Sequence, residues 1–157
     1  ALLEGPQNLN IFRLRKAGYL AALKKHNLPI VPELIRENAW TRELGAAATL
    51  DLLSLTEPPD AIFASTSDFA ALGVLDIAQK MGVNVPQELG ICGFSNEDFT
   101  EITQPSLTTI DQFSKEIGKK IATLYFQEMK NKGKNSTYKI VNNKPELIIR
   151  NSTLKNG

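Results

Sequence analysis

A chain of 157 residues fits one domain of ordinary size. With 42% hydrophobic and 22% charged residues it can bury a core, which excludes an intrinsically disordered chain. A formal net charge of +1 gives none of the dense basic footprint that binding to a nucleic-acid backbone requires.

Ala1–Leu3 is a short apolar run closed by Gly5-Pro6, so it reads as a strand end and turn. Asn8 or Asn10 is a candidate cap for the helix that follows. Leu14, Ala17, Gly18 and Ala21 recur at i, i+3, i+4 and i+7, which predicts one face of a helix running to about His26. Pro29 and Pro32 end it and open an extended segment through Leu34-Ile35. Thr41 is the expected cap of a second helix, with a stripe of Leu44, Ala48, Leu52 and Leu55, broken by Glu57-Pro58-Pro59-Asp60.

Ala61–Ala64 is a continuous apolar run, the mark of a strand buried on both faces. Thr66, Ser67 and Asp68 offer caps for a third helix, which ends at Met81-Gly82 with glycine just past its last turn. Ile91–Phe94 repeats the buried-strand signature, and Leu107–Ile110 is extended after Gln104-Pro105. Ser114 caps a fourth helix, with Ile117, Ile121, Tyr125 and Met129 on its face. A polar loop over Asn131–Thr137 leads to two final strands, Tyr138–Val141 and Leu147–Ile149.

Strands alternating with helices predict an α/β domain, a parallel sheet sandwiched between helices in three layers. Ligands of such sheets bind beyond the carboxyl ends of the strands. Those ends are the Glu4–Asn10, Ser65–Asp68 and Ser95–Asp98 loops.

Most chemistry is absent. There is no phosphate-binding GxxxxGK[ST] or GxGxxG loop, so no nucleotide cofactor is expected, and there is no GxSxG elbow. His26, the only histidine, lies beside two lysines and reads as a solvated side chain. The single Cys92 sits in an apolar run and reads as a buried, inert thiol that fits a reducing compartment. One histidine and one cysteine so far apart form no structural zinc site, and no metal is expected. Glu97 and Asp98 are adjacent carboxylates in a strand-end loop, where a cation site or an ordinary turn both fit. No stretch approaches the ~20 apolar residues of a membrane span, and no signal peptide is visible. The chain opens on Ala1-Leu2-Leu3, as if inside a strand, which predicts a piece of a longer protein.

The succession of segments carries a resemblance. Leu2-Leu3-Glu4-Gly5-Pro6 and Arg13-Leu14-Arg15-Lys16-Ala17-Gly18 come first, then Pro59–Ala64 leading into Ser67–Gly73. Gly82–Pro86, Ile91–Phe94, Pro105–Ile110 and the closing Glu146–Thr153 complete the series. The whole chain resembles the C-terminal, effector-binding part of the lactose/galactose-repressor (LacI/GalR) family of transcriptional regulators. The resemblance implies a periplasmic-binding-protein-like fold of two α/β subdomains closing on a small effector, behind an N-terminal helix-turn-helix. It implies a cytoplasmic homodimer that contacts DNA only through that missing head and has no cofactor, membrane contact or enzymatic activity. Residues 1–157 would form a single sensor subdomain fragment, with the helix over 113–131 belonging to the absent partner subdomain.

The same resemblance assigns an effector site. Arg15 matches a family arginine facing the ligand, and a guanidinium fork suits vicinal hydroxyls or a carboxylate. Arg13, two residues away, faces elsewhere. Trp40 matches an aromatic set against the ligand, with a core or cap tryptophan as the other reading. Ser67 and Asp68 occupy a Ser-Asp position on the cleft side, where Asp68 accepts ligand hydroxyls or caps its helix. Gln112 matches a hinge-side position that reaches the ligand or stays on the surface. After Phe94 many members have Asp, but this chain has Ser95. A neutral hydroxyl there leaves a carbohydrate as the default effector, with a phosphosugar, a nucleobase or a protein co-regulator open.

The third helix is apolar nearly all round, which predicts a second buried face under a neighbouring element or in a dimer interface. The resemblance favours a dimer through Phe69, Leu72, Leu75 and Ile77. A secreted sugar-binding receptor for transport shares the implied fold and is the first alternative. An α/β enzyme using Asp68 and Glu97 is the second.

Overall fold

Four short segments, three of them apolar, meet side by side as parallel strands in a computed structural model that describes residues 1–130 and 142–155. They are β1 (Leu2–Leu3), β2 (Ile35–Arg36), β3 (Ala61–Ala64) and β4 (Gly90–Cys92), in the order β2-β1-β3-β4. A second ribbon pairs β5 (Thr109–Asp111) with β6 (Glu146–Ile148) antiparallel, and a parallel bridge from Cys92 to Thr108 joins it to the sheet. The helices are α1 (Asn10–Lys25), α2 (Arg42–Leu53), α3 (Asp68–Met81) and α4 (Ser114–Lys130). The expected Asn131–Thr137 loop and Tyr138–Val141 strand lie outside the described residues.

The register explains the core. Leu3 pairs with Ala64 and Ile62 with Ile91, so these side chains share one face of the sheet. All four are buried beneath Ala48 and Leu52 of α2 and Ala70, Ala71, Val74 and Ala78 of α3. Leu2, Phe63 and Cys92 lie on the opposite face. There α1 supplies the third layer, with Lys16 reaching the fully buried Glu4 at 3.0 Å.

Thr41 and Ser67 cap α2 and α3 as expected, each hydroxyl accepting an amide N–H three residues on, at 3.2 Å. Gly82 closes α3 with φ of 71°, a conformation that favours glycine. At α1 the expectation fails, because Leu9 is the capping residue and no side chain caps it. Asn10 is the first helical residue and instead accepts from Arg13 at 2.8 Å.

The apolar stripe of α1 is a second correction. Ala17, Gly18 and Ala21 are exposed, and Leu14 is 62% exposed. The half-buried residues are Phe12, Arg15, Lys16, Tyr19, Leu20 and Leu23, and none is fully buried. The ion pair to Glu4 and the Phe12 ring over Gly5 set that rotation. Neither signal shows in apolar periodicity.

Helix α3 resolves the question of its surplus apolar face. Its second buried side packs on α2, with Gly45 and Gly73 at the contact. Leu75 is 3% exposed and belongs to this chain's own core, so its assignment to a dimer interface is corrected. Phe69 and Met81 remain about half exposed, and Leu72 and Ile77 are half-buried.

Cys92 behaves as its apolar surroundings dictate. Burial, helped by the negative charge of Asp68, pushes its thiol up from an ordinary value near 9 to about 12. Alkylation at pH 8 is expected to run at least roughly a hundredfold slower than for a free cysteine. The folded state holds this proton where the unfolded chain releases it. Its contribution to stability is therefore complete below pH 9 and lost as pH rises toward 12.

Candidate functional site

The carboxyl ends of β4 and β5 open onto a depression of ≈ 570 Å³. Ile11, Leu14 and Arg15 line it from α1, Phe94 and Gln112 from the strand ends, and Ile117 from α4. The exposed Leu14 thus faces this cavity and not the core.

Arg15 is its centre. One terminal nitrogen donates to the Ser65 carbonyl at 2.7 Å and to that of Thr66 at 3.3 Å. The other donates to Gln112 Oε1 at 3.3 Å. The guanidinium lies over the Phe94 ring, 3.6 Å from its centroid, a stacked cation–π contact. Burial lowers the Arg15 pKa, but a guanidinium stays charged at any ordinary pH. Among the described residues no carboxylate pairs with it. Arg13 is exposed and turned away, as its helical offset requires.

Gln112 joins this group through both ends of its amide, donating from Nε2 to Ser95 Oγ at 3.4 Å. Ser95 has φ of 130° and Asn96 of 56°, so the chain turns sharply straight after Phe94. Arg15, Ser95 and Gln112 are therefore brought together, with Phe94 as a wall that sequence reasoning missed. Phe94 is buried, as its place at the end of an apolar strand run predicts, and the same ring forms the wall under Arg15.

Asp68 departs from both its expected roles. It is fully buried, and Ser67 caps the helix in its place. Its carboxylate accepts from the Thr109 hydroxyl at 2.6 Å and from the Glu97 amide at 2.9 Å. It therefore binds the β4 loop and β5 to the start of α3, with no exposed oxygen for a ligand. Ser67 is likewise engaged, donating to the Trp40 carbonyl at 3.0 Å while it caps. Glu97 and Asp98 are exposed, and among the described residues no cluster of three or more metal-ligating side chains exists.

Trp40 stands apart from Arg15. It is 51% exposed and lines a separate depression with Thr41, Arg42, Glu43, Phe69 and Leu72. The aromatic expected against the ligand thus borders the α2–α3 surface. No helix among the described residues is long and apolar enough to cross a membrane.

A family model described as a periplasmic binding protein-like domain matches residues 1–153. The chain belongs to that family. The HTH-type transcriptional repressor CytR of Escherichia coli K12 is 37% identical to it over 151 residues, covering 96% of this chain and 43% of the repressor. A crystal structure of a putative transcriptional regulator LacI from Bacillus cereus subsp. cytotoxis superposes with a TM-score of 0.88 at 32% identity. That match covers 97% of this chain and 53% of the regulator. A complex of the transcriptional regulator CelR with cellobiose superposes with a TM-score of 0.85 at 25% identity, covering 97% of this chain and 46% of the other. The chain spans about half the length of the relatives it matches. Those relatives are LacI-type transcriptional regulators, not enzymes, as the motif series implied.

Proposed function

We propose that this periplasmic binding protein-like domain is the effector-sensing module of a cytoplasmic LacI-type transcriptional regulator. A small sugar-like molecule binds at the strand ends, and its binding alters operator affinity through a DNA-binding head elsewhere in the protein. The observation that carries this reading is Arg15, stacked on Phe94 beside Gln112, with its fork at the rim of an open, largely apolar depression. A polar fork among apolar walls is the composition expected of a small-molecule site. The cellobiose complex of a related regulator supports a carbohydrate as the first class to test. The repressor relatives favour a regulator over a transport receptor.

The exposed face of α4 (Ile121, Tyr125, Phe126 and Met129, each about 60% exposed) suits burial against a second subdomain. Phe69 and Leu72, which line the Trp40 depression, and the half-buried Ile77 farther along α3 suit contact with a second copy. Closure would act by differential binding, since a ligand shifts an equilibrium only by its preference for one state.

The test is a titration of the full-length protein with a sugar panel beginning with cellobiose, following Trp40 fluorescence and operator binding. At least one member is expected to change operator affinity; a panel that leaves it unchanged overturns the sensing role. Arg15→Ala is expected to weaken effector binding by about 1.5–3 kcal/mol, the scale of a hydrogen bond from a charged donor. Calorimetry checks this, and an unchanged affinity would remove Arg15 from the site.

A further inference from the structure

Asn96 follows the ligand-side Ser95 and makes three hydrogen bonds to the β5–β6 ribbon and its flank. Its backbone N–H donates to Thr109 Oγ1 at 3.2 Å. Its side-chain Nδ2 donates to Asp111 Oδ2 at 3.0 Å. Its Oδ1 accepts from Arg150 Nη2 at 3.0 Å. Asp111 ends β5, and Arg150 lies two residues beyond the end of β6. One short side chain is thus tied to β5 and to the segment that follows β6.

The two anchors are themselves held. Arg150 also donates to the Leu107 carbonyl at 3.0 Å, to Thr100 Oγ1 at 3.2 Å and to Glu101 at 3.0 Å. Asp111 uses its other oxygen to accept from the Phe113 amide at 2.6 Å. Asn96 has φ of 56°, which asparagine tolerates better than most residues. On the other side, Ser95 Oγ accepts from Gln112, which in turn accepts from Arg15. An unbroken series of hydrogen bonds and one peptide link runs from the Arg15 fork to the strands that carry the chain toward and back from α4.

We propose that Asn96 is a positioning residue that fixes the loop carrying Ser95 to β5 and to the segment leaving β6, so that the pocket and the ribbon move as one body. The coupling rests on the effector reading of the pocket; the tie itself does not. Physical coupling between two places requires an element whose arrangement both of them bias, and this loop touches both. Asn96 touches no ligand in this role. It acts by holding Ser95 and Gln112 where a ligand would meet them.

A swap of polarity tests the tie. N96D keeps an acceptor for Arg150 but sets a carboxylate against that of Asp111. Adding D111N restores a donor opposite an acceptor and leaves an oxygen for the Phe113 amide. Amide hydrogen exchange is followed in the full-length protein without ligand. N96D is expected to speed exchange about tenfold at Thr109–Asp111 and Glu146–Ile148, with α3 unchanged, as loss of a charged hydrogen-bond partner implies. N96D/D111N is expected to return both strands toward the original rates. Protection lost only at residues 95–97 overturns the proposal, as does a double variant that fails to recover. Should N96D lose protection everywhere, recovery in the double variant still supports the tie and its failure still overturns it. None of these readings needs an effector, so a failed sugar titration would fall on the sensing role alone.

Discussion

Asp68→Ala is expected to destabilise the fold by about 3–4 kcal/mol, read as a lowered urea midpoint at unchanged slope. The carboxylate is fully buried and accepts from the Thr109 hydroxyl and the Glu97 amide. Removing it strands two donors away from water, each costing about 1–3 kcal/mol. No small shift refills the space well, since Gly93 packs against this carboxylate so closely that any Cβ there would collide with it. Asp68→Asn is the informative companion. Its oxygen still accepts from Glu97, and its NH₂ meets a hydroxyl that can turn to accept, so a loss of about 1 kcal/mol is expected. Equal losses for the two variants would show that the carboxylate charge, and not the volume or hydrogen bonds that asparagine keeps, fixes the residue.

Gly73→Ala is expected to cost about 3 kcal/mol, although alanine is ordinarily about 1 kcal/mol better than glycine inside a helix. A Cβ at Gly73 would run into the Arg42 carbonyl and stand 2.7 Å from the Ala46 amide, both backbone atoms of α2. Backbone cannot rotate aside as a side chain can, so the helices must part. Separation also opens the facing contact, where Gly45 packs on the Ala70 carbonyl, and stretches the Arg42–Asp76 pair at 2.6 and 2.9 Å. Gly18→Ala on α1 is the control. Nothing lies within 4 Å of the added Cβ, and a gain of about 0.5–1 kcal/mol is expected. Thermal denaturation of the two variants should therefore move in opposite directions.

The fold was legible where one physical signal dominated. Ala61–Ala64 and Ile91–Phe94 form adjacent parallel strands, as their continuous apolar runs predict, with Ile62, Ala64 and Ile91 buried on one face and Phe63 and Cys92 half-buried on the other. Thr41, Ser67 and Gly82 work locally, so their roles could be read without knowing the rest. Helix α1 was misread because periodicity reports that a face is apolar, not which neighbour covers it. Leu14 lines the cavity, while the charged Lys16 is turned inward toward Glu4.

The site was legible in part for the same reason. Arg15, Ser95 and Gln112 come together, but they converge from positions 15, 95 and 112 through the sheet, and only the family pattern linked them. Asp68 looked like a ligand acceptor because sequence cannot show that Thr109 and Glu97 already occupy it. Nothing in the sequence marks Asn96, since its partners Asp111 and Arg150 lie in segments nearly forty residues apart.

That ribbon has a mechanical consequence. The chain passes out along β5 and back along β6, hydrogen-bonded in register from Thr109–Ile148 to Asp111–Glu146. Whatever α4 carries is therefore attached by a strap, not by a single cord. Sliding one strand past the other by one residue would turn every side chain to the wrong face, so the strap does not shear. It can still flex across its flat side. A push on α4 therefore reaches the sheet as a change of bending angle.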